Sequence, residues 1–228
     1  KDKKIDTSCI KVLDAACGSG SFLIKAFDVF DEYQKGKADY SQKTLGHDST
    51  TYSTKEKIIK QNIFGIDLDR KAVEIAQLNL LLKIAEKGHR LPLLQENIRC
   101  GNSLLKGLNE QGMLKSCSFD VVIGNPPYLD SEEMVRSQPK QRKVYKDMYS
   151  VADGNWDIFC LFIQRGLELV KDGGFFGMIV PNKLLSADYA IETRKFIQNY
   201  KIIAIRDYSR IPVFKASVYP IVIIIKKE

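Results

Sequence analysis

Histidine is scarce in this chain of 228 residues: His47 and His89 stand alone and read as surface or helix-end residues. Cysteine is sparse too. Cys9, Cys17, Cys100, Cys117 and Cys160 are an odd number with no CxxC pair, which supports neither a disulfide framework nor a zinc site, so no metal is expected. No 18-residue apolar run and no signal-type segment occurs, so a membrane partner is not expected. There is no internal repeat. The chain opens Lys1-Asp2-Lys3-Lys4, without an initiator methionine, and reads as a soluble fragment of a longer protein. What is present suits an enzyme-sized domain. Hydrophobic residues make up 44%, enough for one sizeable core, so a single domain over 1–228 is expected. A net charge of +7 fits a polyanionic partner without establishing one.

The most informative residues are Asn125-Pro126-Pro127-Tyr128, which follow the strand-like run Phe119 to Ile123. An aromatic amino group is a poor nucleophile because its lone pair is delocalised into the ring. The Asn125 side-chain oxygen and the Pro126 carbonyl can each accept one N–H, drawing the nitrogen toward tetrahedral geometry and stabilising the charge that grows on it. Pro127 removes a backbone donor and stiffens the turn, and Tyr128 offers a face for stacking a planar base. An ordinary proline-rich turn closing a strand is the plainer reading, so context decides.

Ile10 to Ala15 forms a short apolar run that continues into Ala16-Cys17-Gly18-Ser19-Gly20-Ser21-Phe22, and Phe22 to Tyr33 has helical apolar spacing: a strand, a glycine-rich turn and a helix. Glycine lets the backbone approach a ligand closely beside the helix amino terminus. A second run, Ile63 to Ile66, ends in Asp67 ahead of a helical stretch from Asp69 to about Lys87. A carboxylate at the end of the second strand is where doubly wound nucleotide binders hold ribose hydroxyls. In dinucleotide enzymes that acid lies about 20 residues beyond the glycine loop. Here the gap is more than twice as long, which disfavours a dinucleotide enzyme. Asp69 reads as a helix cap.

Taken in order, these segments resemble the gamma-order N6-adenine DNA methyltransferases, as in the methylase portions of type I and type IIG restriction-modification proteins. The resemblance runs over nearly the whole chain. It implies that Asp14, Ala15, Cys17, Gly18 and Gly20 hold the methionine end of S-adenosylmethionine, and that Asp67 and Leu68 meet its ribose region. Ile98 to Leu104 is similar to the third motif, where the family usually has aspartate against the cofactor adenine and this chain has Asn102. An amide oxygen can accept the same hydrogen bond without charge. Asn125, Pro126, Pro127 and Tyr128 resemble the catalytic motif, and Asn155 to Phe162 the fifth, with Phe162 on the cofactor adenine. Phe159, Phe162, Ile163, Leu167 and Val170 also form a helical apolar stripe that reads as core. Phe214 is similar to the late aromatic that faces Tyr128 across a flipped adenine.

Alternating strands and helices favour an α/β, doubly wound, mainly parallel seven-stranded sheet with an antiparallel last strand. Strands are expected near 10–15, 63–67, 95–100, 119–124, 174–180, 202–209 and 217–226. Lys35 to Lys60 reads as a polar insertion or mobile connection. Leu129 to Asn155 reads as a long loop, with Arg136, Lys140, Arg142, Lys143 and Lys146 interleaved with Tyr145 and Tyr149, which either follows a phosphate backbone or is simply solvated. The resemblance implies double-stranded DNA as partner, a specificity subunit or fused recognition and nuclease domains, and a prokaryotic cytoplasmic setting. Methylation of a protein glutamine or of RNA, and a methylase-like DNA-binding module without turnover, are the other readings.

Overall fold

The computed structural model describes residues 6–41, 51–106, 114–208 and 219–228, with the side chains of 37–41 left aside. Phe214 and His47 lie outside the described residues. The chain divides into two compact units, Lys1–Gly101 and Asn102–Glu228.

In the first unit β1 (Val12–Asp14), β2 (Ile63–Asp67) and β3 (Ile98–Cys100) run parallel in the order β3-β2-β1. Parallel neighbours need crossover connections, which here carry α1 (Ser21–Ser41), α2 (Tyr52–Asn62) and α3 (Arg70–Ile84). The Asp69 side chain accepts from Lys71 N–H at 2.8 Å and so caps α3, as its sequence position suggests. From there Val73, Ala76, Leu80 and Ile84 form the buried stripe. Two buried asparagines tie down the returns. Asn62 Nδ2 donates to Thr7 O and Ile10 O, and Asn97 Nδ2 donates to Lys60 O at 2.9 Å and Ile63 O at 3.2 Å. At Gly65 the strand passes so close to the glycine turn that a Cβ would lie 2.6 Å from Leu23 and 3.1 Å from Cys17 Sγ.

In the second unit β4 (Phe119–Gly124) runs parallel to β5 (Val170–Pro181). The antiparallel β7 (Pro220–Lys226) is inserted between β5 and β6 (Lys201–Asp207). The helices are α4 (Ser131–Ser137), α5 (Pro139–Met148), α6 (Ile158–Leu169), α7 (Lys183–Ser186) and α8 (Ile191–Ile197). Alternation along β7 buries Ile221, Ile223 and Ile225 almost completely. Residues 158–167 of α6 are buried on every side, which explains an apolar run broader than one stripe. Seven strands, mainly parallel with a reversed last one, match the expected fold class.

Two expectations change. Lys35–Lys60 is not simply a polar connection: α1 continues to Ser41 and α2 begins at Tyr52, capped by Thr51, whose side chain accepts from Thr54 N–H. Only Tyr52, Ile58, Ile59 and Asn62 of α2 are buried, so its apolar signal is faint among lysines. Leu129–Asn155 is largely helical rather than a loop. Asp130 caps α4 through Glu133 N–H at 2.9 Å, Pro139 opens α5, and Met134 and Tyr145 are the apolar anchors.

Gly166 of α6 lies where the Phe176 ring of β5 meets the helix, and a Cβ there would overlap that ring. Gly166→Ala is expected to destabilise the folded chain by about 1–3 kcal/mol through overpacking, despite alanine's better helix propensity. Chemical denaturation measures this as a lowered midpoint, and an unchanged or raised midpoint contradicts the packing described.

Candidate active site

Two clusters of expected site residues form, one in each unit. In the first, β1 delivers Asp14 to the turn Ala15–Gly20 that leads into α1. Gly18 and Gly20 have φ of 51° and 87°, a backbone region that side chains resist. A Cβ on Gly20 would also press on Ala76 of α3 at 3.0 Å. Cys17 N–H donates to Ile66 O at 2.9 Å, so the turn is stitched to the second strand. The principal fastening is Asp67. Its Oδ2 accepts from Gly18 N–H at 2.8 Å and its Oδ1 from Asp69 N–H at 2.9 Å. A carboxylate has about four lone-pair directions, so holding the turn leaves it acceptor capacity toward a ligand hydroxyl. Leu68 follows it and is exposed.

Asp14 is buried, and its Oδ1 accepts from Ala16 N–H at 3.0 Å. Burial pushes its pKa up to about 7; the Ala16 hydrogen bond opposes that shift and the nearby Asp67 charge adds to it. Cys17 is buried, and the same desolvation, with Asp14 and Asp67 beside it, raises its thiol pKa well above normal. Cys17 therefore serves as a small packed residue rather than a nucleophile.

In the second unit β4 ends in Asn125–Tyr128. The Tyr128 hydroxyl donates to Asn125 Oδ1 at 2.9 Å, which aims the amide oxygen, and Pro126 is buried while Pro127 is exposed. Ile158 N–H donates to Leu129 O at 3.1 Å, tying the residue after the turn to the start of α6. Burial and the neighbouring Asp157 push the Tyr128 pKa up to about 12, so its phenol stays protonated and able to donate. Asp157 caps α6 through Phe159 N–H at 3.4 Å. Burial raises its pKa to about 6 against that bond; Asp130 adds to the shift, and Lys183 and the Ile158 bond oppose it. Phe162 is buried on α6.

Asn102, in the turn after β3, has both ends of its amide engaged: Oδ1 accepts from Leu104 N–H at 3.0 Å, and Nδ2 donates to the Tyr145 hydroxyl at 2.8 Å. Tyr145 and Tyr149 are buried at 1% and 3% exposure, so the expectation that they face a nucleic acid is corrected. Arg142 also turns inward, donating to Gly154 O at 2.9 Å and lying 4.5 Å over Trp156. Arg136, Lys140, Lys143 and Lys146 are exposed. Sequence reasoning did not single out Asp157 or Tyr145 as parts of the site. Asp157 was visible only as one letter of the Asn155–Phe162 segment, and Tyr145 required the fold. A pocket of about 580 Å³ bounded by Asp153, Gly154, Asn155, Asp188, Tyr189, Ile191 and Glu192 includes none of the expected site residues.

Residues 61–214 match the model of the Eco57I restriction-modification methylase family. Escherichia coli type II restriction enzyme and methyltransferase RM.Eco57I is 32% identical over 219 residues, covering 85% of this chain and 22% of that protein. Type II methyltransferase M.BstVI of Geobacillus stearothermophilus is 34% identical over 124 residues, 52% of this chain and 21% of that one. The chain thus spans about a fifth of the length of these curated relatives. Among solved structures, the DrdV–DNA complex superposes with a TM-score of 0.69 at 15% identity over 98% of this chain and 24% of that chain. The type I restriction enzyme EcoKI M protein does so at 0.62 and 20% over 96% and 40%. The fold is that of the class I S-adenosylmethionine-dependent methyltransferases.

The raised Asp14 pKa sets a stability window. The unfolded chain loses this proton near pH 4, at about 3.9 for an ordinary aspartate, whereas the folded chain keeps it to about 7. Folding therefore takes up a proton in between, and this group's contribution falls as pH rises through that interval. Asp14→Asn is expected to be more stable than wild type at neutral pH, by on the order of a few kcal/mol, with the gap closing toward pH 4. Denaturation midpoints across this range measure it, and a pH-independent gap contradicts it.

Proposed function

Because the chain belongs to the Eco57I restriction-modification methylase family, we propose that it transfers the methyl group of S-adenosylmethionine to N6 of an adenine turned out of duplex DNA. The observation that carries this reading is the Asn125 amide oxygen, aimed by the Tyr128 hydroxyl at the end of β4 and followed by the Pro126 carbonyl. Those two acceptors take the N–H groups of the target amine and localise its lone pair. Tyr128 stacks on the base, with Phe214 as its opposing aromatic. The surplus proton leaves to solvent, and the reaction needs no protein nucleophile.

The residues of the first unit suit the cofactor. The left-handed glycines and the turn that Asp67 holds leave backbone free to approach a ligand, as does the small Ala15. A cationic ammonium beside Asp14 would relieve the destabilisation of its ionised form, which fits the methionine end. Asp67, with Leu68 beside it, suits ribose hydroxyls; of the second unit's residues, Asn102 suits the adenine amino group and Phe162 the adenine face. When bound, the cofactor supplies an electrophilic methyl.

RM.Eco57I and M.BstVI are named as type II enzymes, and PglX of Streptomyces coelicolor, 25% identical over 240 residues, as an adenine-specific methyltransferase. Those names support DNA as the partner and restriction-modification or phage defence as the setting. Target selection is assigned to a specificity subunit or to fused recognition and nuclease domains, because sequence is read through base edges. Among the described residues no helix is long and apolar enough to cross a membrane. A DNA substrate in a prokaryote suits a cytoplasmic activity. The exposed Arg136, Lys140, Lys143 and Lys146 suit salt-sensitive attraction to phosphates.

Asn125→Ala in the full-length protein is expected to lower turnover by about 10²–10³, the usual effect of losing one oriented polar group, while cofactor affinity stays near wild type. Single-turnover assays with labelled cofactor, paired with calorimetry, measure both, and near-normal turnover contradicts the role. Asp67→Ala should instead weaken cofactor binding by roughly tenfold to a hundredfold, because it removes both a charged acceptor and the support of Gly18. Equal affinity by calorimetry places the ribose contact elsewhere.

A further inference from the structure

An aspartate facing an adenine amino group needs little orientation, since both its oxygens accept. An asparagine at that position does. Turned the wrong way, its NH2 would confront the amino group of the ligand, donor against donor. The surroundings of Asn102 settle which way it points. A main-chain N–H can only donate, so the atom that Leu104 N–H meets at 3.0 Å is the amide oxygen. The amide nitrogen is thereby directed to the Tyr145 hydroxyl at 2.8 Å, which accepts it. Gln141 Nε2 donates to the same hydroxyl at 2.7 Å, so Tyr145 accepts twice.

Tyr145 is itself immobilised. It is 1% exposed, with its ring edge-on to Tyr149 and Trp156 at centroid distances of 6.4 and 6.5 Å. One turn further along α5, Tyr149 donates to Leu104 O at 2.6 Å. Lys106 lies 4.5 Å over that same ring and donates to Met148 O. The inner face of α5 therefore grips the turn 102–106 at Asn102, Leu104 and Lys106.

We infer that Tyr145 is a positioning residue, which together with Leu104 N–H holds Asn102 so that its amide oxygen, not its NH2, meets the purine edge of the cofactor, and so makes the site selective for a 6-amino purine. This rests on the reading that Asn102 meets the cofactor adenine. A carbonyl oxygen accepts from two directions, so the Leu104 bond and a ligand N–H are compatible. Leu104 N–H and the tyrosine of α5 thus share the orienting that a carboxylate does not require.

The test uses the full-length protein and two ligands, S-adenosylhomocysteine and its analogue with hydrogen in place of the 6-amino group. Wild type is expected to prefer the amino compound by about tenfold, the usual value of one hydrogen bond in a desolvated site. Tyr145→Phe, which leaves Asn102 held by the Leu104 bond alone, should reduce the preference several-fold while binding the analogue as wild type does, and adding Asn102→Asp to Tyr145→Phe should restore it, since a carboxylate accepts through either oxygen. An undiminished preference in Tyr145→Phe overturns the positioning role and leaves the adenine contact standing. Equal weakening toward both ligands overturns it in favour of general packing. Absence of any preference in wild type overturns the adenine contact of Asn102, and this inference with it.

Discussion

The glycine turn between β1 and α1 depends on the Asp67 carboxylate. One oxygen holds Gly18 N–H and the other holds Asp69 N–H, so a single side chain joins the glycine turn, the end of β2 and the entry to α3. Charge-assisted bonds to backbone N–H groups are the stronger kind, and here they fix backbone that glycine would otherwise leave mobile. The close passage of Gly65 against Leu23 and Cys17 allows the turn to sit on the strand at all. Asp14 is buried there, and the nearby Asp67 charge adds to the rise in its pKa that burial causes. The turn thus carries an acid whose ionised form is destabilised by burial.

The second unit applies the same economy to the turn Asn125–Tyr128, proposed to receive the target amine. Tyr128 aims Asn125, Leu129 is bonded to Ile158, and Asp157 caps the helix that follows. Acceptors for a weakly nucleophilic nitrogen are useful only when held before the base arrives, because reorganisation at the moment of reaction would cost much of their effect. Trp156, Phe159 and Phe162, in and just before the helix to which Leu129 is bonded, are buried. The protonated state of Tyr128, secured by desolvation and the nearby Asp157, keeps the aiming bond in place at neutral pH.

Much of this was legible in the sequence because local chemistry dictates it. The apolar runs ending in Asp14 and Asp67 are strands β1 and β2, Asp69 is a cap, and β7 is reversed as its short connection required. The strand boundaries moved by a few residues, most at β5, which covers 170–181 rather than 174–180. Helices α2, α4 and α5 were obscured because each buries few apolar side chains beneath a charged surface. Tyr145 and Tyr149 were misread for the same reason. Among lysines they resemble a stacking surface, whereas only the packing of α5 onto the turn 102–106 shows their hydroxyls spent on Asn102 and Leu104. Pattern reports residue type and period, and cannot report which distant polar atom a buried hydroxyl will satisfy.

The central claim is that this chain, in its parent protein, delivers a methyl group to adenine N6. Incubating the full-length protein with isotopically labelled S-adenosylmethionine and a mixture of duplex DNA, RNA and glutamine-bearing peptide, then digesting each to monomers for mass spectrometry, tests it most directly. The account predicts labelled N6-methyladenine from the duplex and none from RNA or peptide. Label in N4-methylcytosine, in RNA or in methylglutamine, or binding of DNA with no transfer at all, would contradict it.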